Sequence, residues 1–189
     1  MKYQLESGWL SDVRRVPSPH CNSRPEGEAV DLLVIHSISL PPGEYGGPYI
    51  DALFLGQLDS DAHPYFAEIA GLQVSAHILI DRNGSVTQYV PLDRRAWHAG
   101  QSEFCGRCNC NDFSIGIELE GLDTDTYTDA QYESLAEVTA AIMDAYPLIT
   151  RDTITGHSDI APGRKLDPGP GFDWQRYRDI LDRVLEARA

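Results

Sequence analysis

No stretch of this chain approaches the roughly 18 to 20 consecutive apolar residues that span a bilayer, so the membrane classes fall away. Basic residues are also scarce. Lys and Arg number 15 against 29 Asp and Glu, for a formal net charge of −14. That balance speaks against nonspecific nucleic-acid binding, which needs clustered cations to replace phosphate counterions. An anionic ligand would need a locally basic pocket. Met1 to Leu10 lacks the basic start and long apolar run of a signal peptide, so the expected compartment is the cytoplasm. Cysteine is limited to four residues. Cys105, Cys108 and Cys110 form a C-x2-C-x-C run, but with only the distant Cys21 to join them the spacing is poor for zinc, and they read as reduced thiols in a surface loop.

What is present is ordinary for a globular protein, with 42% apolar and 23% charged residues. Disorder and fibrous classes are thereby excluded. No repeats or low-complexity tracts occur, and 189 residues suit a single domain over 1–189. Leu32-Leu33-Val34-Ile35 is a short apolar run that reads as a buried central strand delivering His36 at its end. After a Pro-Pro-Gly stop, Ile50, Leu53, Phe54 and Leu58 recur at helical spacing. Val74 to Asp81 and Ser85 to Val90 read as two strands joined by a tight Asn83-Gly84 turn.

Phe113 to Leu119 is another apolar run, broken by Gly116 and carrying Glu118, a carboxylate that needs a reason to lie in a buried strand. Thr128 with Gln131 has the form of a capping box, and Tyr132, Leu135, Val138, Ile142 and Ala145 then mark a helical face until Pro147. Asp173 can cap a last helix striped by Trp174, Tyr177, Ile180, Leu181, Val184 and Leu185. Strands interspersed with packed helices predict an α/β fold, one central mixed β-sheet flanked by helices.

Six histidines occur: His20, His36, His63, His77, His98 and His157. His36 ends a buried strand, and His157 leads into a loop rich in Gly, Pro and charge. A catalytic zinc needs three protein ligands, usually His or carboxylate, with a fourth position for water. His36 and His157 supply two. Asp159 and Asp167 both follow His157, and residue type and spacing do not choose between them.

Several longer motifs carry a resemblance. They are Arg15-Val16-Pro17-Ser18-Pro19, His36 to Gly47, Ser75-Ala76-His77, Arg95 to Gly100, Asn111 to Gly121, Gly156-His157, Ile160 to Gly169 and Phe172-Asp173-Trp174. Together they make the chain similar to the cytoplasmic 1,6-anhydro-N-acetylmuramyl-L-alanine amidases of Gram-negative bacteria, within the zinc amidase and peptidoglycan-recognition superfamily. The resemblance implies that fold, a Zn2+ cofactor on His36, His157 and Asp167, and catalytic roles for Glu118 and Lys165. It implies hydrolysis of the bond between the lactyl group of N-acetylmuramic acid and L-alanine in soluble anhydro-muropeptides. No nucleic-acid, membrane or obligate protein partner is expected.

Other branches carry a catalytic Tyr at the place of Ala76, so acid and base work falls to Glu118. Ser37 stands where the family generally has a sugar-contacting Asn, and Ser158 where a Cys is common. Trp97 offers a flat face to a sugar ring. Arg107 and Arg164 are the basic candidates for stem-peptide carboxylates, which a guanidinium grips with two parallel hydrogen bonds. His77 reads as a core residue ahead of a role beside the metal. The competing readings are a noncatalytic wall-binding module, an exported enzyme for intact wall and a zinc peptidase. The complete His, His, Asp set argues against the first and the missing export signal against the second.

Overall fold

Six strands make the central sheet of a computed structural model that describes residues 2–188: β1 (Arg14–Arg15), β2 (Leu32–Ile38), β3 (Ile78–Ile80), β4 (Val86–Gln88), β5 (Ser114–Glu120) and β6 (Ile154–Gly156). Their spatial order is β6-β2-β5-β3-β4-β1. β5 runs parallel to both β2 and β3, β6 runs parallel to β2, and β3 and β4 are antiparallel. The sheet is therefore mixed. The continuous apolar runs in β2 and β5 follow from their central position, where both faces are covered. At the β3–β4 turn Gly84 takes φ +80°, and a Cβ there would lie 2.6 Å from the Ala130 carbonyl oxygen. Only glycine fits both the turn and its neighbour.

One face of the sheet packs on two helices, α3 (Asp129–Ala145) and α5 (Trp174–Glu186), with Leu33, Ile35, Ile115, Ile117 and Leu119 pointing into the shared core. Thr128 caps α3 as predicted, its hydroxyl accepting from the Gln131 N–H while the Gln131 side chain accepts from the Thr128 N–H. Such a cap is worth about 1 kcal/mol. The apolar face is broader than the sequence stripe, because Ser134, Thr139 and Gln131 are buried too. α5 packs against α3, and Thr139 Oγ1 meets the Tyr177 hydroxyl at 2.9 Å. Ala145, placed on the core face from sequence, is exposed at the helix end.

The other face carries two apolar clusters. One gathers Leu53, Phe54, Phe66, Leu79 and Tyr89 around the short helices α1 (Tyr49–Phe54) and α2 (Phe66–Ile69). The second gathers Leu32, Val34, Ala99, Phe113 and Ile160. α1 is shorter than the sequence spacing predicts, and Leu58 reaches the core from beyond its end. Cys105 and Cys108 are exposed on a short ribbon, but Cys110 is buried in the second cluster, which corrects its reading as a surface thiol. Among the described residues no helix is long and apolar enough to cross a membrane.

Candidate metal centre

Between those two clusters the sheet face turns polar, at the carboxyl ends of β2, β5 and β6. Parallel strands leave their ligand sites at that end, where the connecting loops diverge. β2 and β5 are in register with His36 beside Glu118, so the two side chains share a face. His157 is the first residue of α4 (His157–Ile160), directly after β6, and Asp167 arrives from the following loop, whose main-chain oxygen accepts from the Ser158 N–H at 2.9 Å.

The three side chains meet. His36 Nδ1 lies 2.9 Å from His157 Nδ1, and Asp167 Oδ2 lies 3.1 and 3.0 Å from the two nitrogens. The outer nitrogens show what these atoms carry. His157 Nε2 is 3.1 Å from the Ala99 carbonyl, which can only accept, so Nε2 holds the proton. His36 Nε2 faces His98 Nδ1 at 2.9 Å, and His98 Nε2 faces the Ser114 hydroxyl at 3.2 Å. When His36 likewise carries its proton on Nε2, with His98 Nδ1 accepting, two lone pairs and a carboxylate oxygen converge on one point.

Such a triangle is electrostatically unfavourable without a cation at its centre. Zinc bonds of about 2.0 to 2.1 Å in tetrahedral geometry hold donors about 3.3 Å apart, a few tenths of an ångström wider than here. The donor set fits zinc chemically. Burial lowers His36 to a pKa of about 4, against the opposing pull of Asp167, so its ring is neutral at pH 7 and fit to ligate.

Glu118 is buried, and its Oε2 has no hydrogen-bond partner in the protein. Desolvation, then the charge of Asp167, pushes its pKa well above 4.5, and the Lys165 ammonium works against that rise. An unpartnered buried carboxyl costs stability, which is tolerable at a site where chemistry uses the group. Lys165 is exposed at the cleft rim. Asp159, the rival ligand, is turned away: its Oδ2 accepts from the Thr155 hydroxyl and the Gly156 N–H, both at 2.9 Å.

A cleft of about 520 Å³ opens over these groups, lined on one side by Leu53, Phe54, Ile69 and Val74 and on the other by Arg164 and Lys165. Ser37 and Trp97 both line it. Beneath it, the Tyr127 hydroxyl donates to the Pro168 carbonyl at 2.9 Å, and burial raises that phenol. The Trp97 indole N–H donates to Asn22 Oδ1 at 2.9 Å, and its ring stacks with His20. Arg164 reaches the cleft but donates from Nη2 to the carbonyls of Ala99 and Gln101 at 2.6 and 2.7 Å.

Arg107 is a correction. It pairs with Asp31 at 2.6 Å and with Glu28, lies over the Phe113 ring and does not line the cleft. Two acidic partners already satisfy the fork, so it is not available to a stem-peptide carboxylate. His77 is fully buried, accepts from the Gly116 N–H at 3.0 Å and sits away from the ligand triangle, in keeping with the core reading. Burial, then the Arg24 charge, lowers its pKa to about 3. Sequence reasoning missed His98 and Asn111. The one available signal was Gly116, because a glycine inside a central strand marks a close approach by another group. A larger groove of about 690 Å³ along α3 and α5 is lined by charges that pair with each other, such as Arg176 with Asp129 and Arg188 with Glu137.

Comparison with known proteins gives a consistent picture. The family model described as N-acetylmuramoyl-L-alanine amidase matches residues 26–170. The 1,6-anhydro-N-acetylmuramyl-L-alanine amidase AmpD of Escherichia coli K12 is 64% identical over 179 residues, 95% of this chain and 97% of that protein. A crystal structure of a selenomethionine AmpD derivative superposes with a TM-score of 0.92 at 63% identity, over 94% of this chain and 98% of that one. The amidase AmiD from E. coli, in complex with the substrate anhydro-N-acetylmuramic acid-L-Ala-D-γ-Glu-L-Lys, matches with a TM-score of 0.57 at 29% identity, over 94% of this chain and 65% of that one.

Proposed function

Since the chain belongs to the N-acetylmuramoyl-L-alanine amidase family, within it to the AmpD type, we propose that it is a cytoplasmic zinc enzyme that hydrolyses soluble anhydro-muropeptides during recycling of cell-wall fragments. The bond cut is the amide between the lactyl group of 1,6-anhydro-N-acetylmuramic acid and L-alanine. The observation that carries the reading is the convergence of His36 Nδ1, His157 Nδ1 and Asp167 Oδ2 beside the unpartnered Glu118 carboxyl. The substrate class is that of the similar AmpD enzymes and of the AmiD complex. Residues 1–189 act as one amidase domain, since Tyr3 and Leu10 before the matched segment and Tyr177 and Leu181 after it share one core cluster. The reading involves no nucleic acid, membrane or obligate protein partner.

Zinc would be held by His36, His157 and Asp167, and when bound it supplies a Lewis acid that polarises a carbonyl and makes water more acidic. Glu118 accepts the proton of the attacking water. Glu118 then returns that proton to the departing L-alanine amine, so no covalent intermediate is needed. Lys165 stabilises the negative charge that grows on the lactyl carbonyl oxygen, a contribution larger in the transition state than in the bound substrate. Ser37 and Trp97 face the sugar side of the cleft, and Arg164 serves the stem peptide with what its carbonyl contacts leave of its fork.

Mass analysis of products tests the reaction. Incubation with anhydro-muropeptide is expected to release anhydro-N-acetylmuramic acid and a peptide with a free L-alanine amine, faster than any release from intact sacculus. Free amino acids with the sugar still attached, or faster attack on sacculus, would contradict it.

A further inference from the structure

Two imidazoles can turn their Nδ1 lone pairs to one cation only when each carries its proton on Nε2 and each ring is held at one rotation. The Nε2–H of His36 is buried and meets His98 Nδ1 at 2.9 Å. The His98 ring has a seat made for it. Gly116 in β5 lies directly beneath, and a Cβ there would stand 2.5 Å from His98 Cγ and Nδ1. Beyond the ring, the Ser114 hydroxyl faces His98 Nε2 at 3.2 Å and can accept from a proton there, the arrangement in which Nδ1 accepts from His36.

The backbone beside His98 is fixed as well. The buried Asn111 side chain accepts with one oxygen from the N–H groups of His98 and Ala99, at 3.0 and 2.8 Å. The Ala99 carbonyl in turn accepts from His157 Nε2 at 3.1 Å. Two adjacent residues thus receive the outer protons of both histidines.

We propose that His98 is a positioning residue that fixes the tautomer and rotation of His36, with Gly116 as its seat and Asn111 anchoring the stretch it shares with Ala99. The inference rests on the metal reading above. Without an acceptor at Nε2, the His36 proton moves to Nδ1, where Asp167 Oδ2 at 3.1 Å takes it. A cation must then displace a proton from the position it needs.

Zinc affinity, measured by competition with a chromophoric chelator, separates positioning from packing. His98→Leu fills the seat without an acceptor, and the affinity is expected to fall about 10- to 100-fold, the scale at which groups behind a metal ligand act. His98→Asn places its carboxamide oxygen near the position of Nδ1, and affinity is expected to recover to within a few-fold of the unsubstituted protein. Gly116→Ala, which touches no ligand, is expected to match His98→Leu by displacing the ring. Nitrogen-15 NMR of the zinc-loaded unsubstituted protein adds a test that needs no variant to fold: His98 should carry its proton on Nε2, with Nδ1 bare. If that protein binds no zinc, the metal reading itself fails. If it binds zinc but His98 is protonated on Nδ1, or the Leu and Asn variants bind zinc equally, the role of His98 is overturned while the metal reading stands.

Discussion

Glu118→Gln is expected to keep zinc bound and to lower turnover on anhydro-muropeptide about 100-fold or more, the scale of general acid-base catalysis. Gln matches Glu in shape but cannot take and return a proton. Near-normal turnover would remove Glu118 from the mechanism. The same variant separates chemistry from structure. Burial raises the folded pKa of Glu118 above 4.5, so in the metal-free protein its folded form keeps a proton that the unfolded chain loses as pH rises. Stability attached to Glu118 is therefore full below the ordinary carboxyl range and is lost as pH climbs towards the folded value. Gln has no such loss. Urea unfolding of the metal-free proteins should show the variant gaining on the unsubstituted chain from pH 5 to pH 8, and a pH-independent difference would contradict the cause assigned to the shift.

Asp167→Ala is expected to weaken zinc binding by more than the about 10- to 100-fold that changes behind a ligand produce, and activity should fall with the fraction of protein still loaded. The deletion leaves two Nδ1 lone pairs and no anion to balance the ion. Asp159→Ala is the matched control. Its carboxylate caps the start of α4, so its loss should cost about 1 kcal/mol of stability and leave zinc in place. Zinc lost from Asp159→Ala and kept in Asp167→Ala would exchange the two assignments.

Elements whose cause is local were legible from sequence. The apolar runs of β2 and β5, the Asn83-Gly84 turn, the Thr128–Gln131 cap and the stripe of α5 all appear close to where pattern places them. Extents were less so, because tertiary contacts set them: β2 continues past His36 to Ile38 through its pairing with β5, and α3 buries Gln131 and Ser134 against carbonyls of the sheet and its β3–β4 turn and Thr139 against Tyr177 of α5. At the site, residue type alone left Asp159 and Asp167 open, and family resemblance favoured Asp167, the carboxylate that lies with the histidines. Arg107 was misread because nothing in its neighbourhood announces Glu28 and Asp31, some eighty residues earlier. His98 and Asn111 were missed for a related reason: their partners are a histidine on β2, some sixty residues earlier, and two backbone N–H groups, and main-chain partners leave no residue-type signature.

The central claim is that one metal ion at His36, His157 and Asp167 makes this fold an amidase. Stepwise zinc titration of the metal-free protein, with bound zinc and anhydro-muropeptide hydrolysis followed in the same samples, tests it most directly. The rate is expected to rise in proportion to bound zinc and to level off at one ion per chain. Full hydrolysis with no metal bound, or activity that appears only after a second ion, would contradict it.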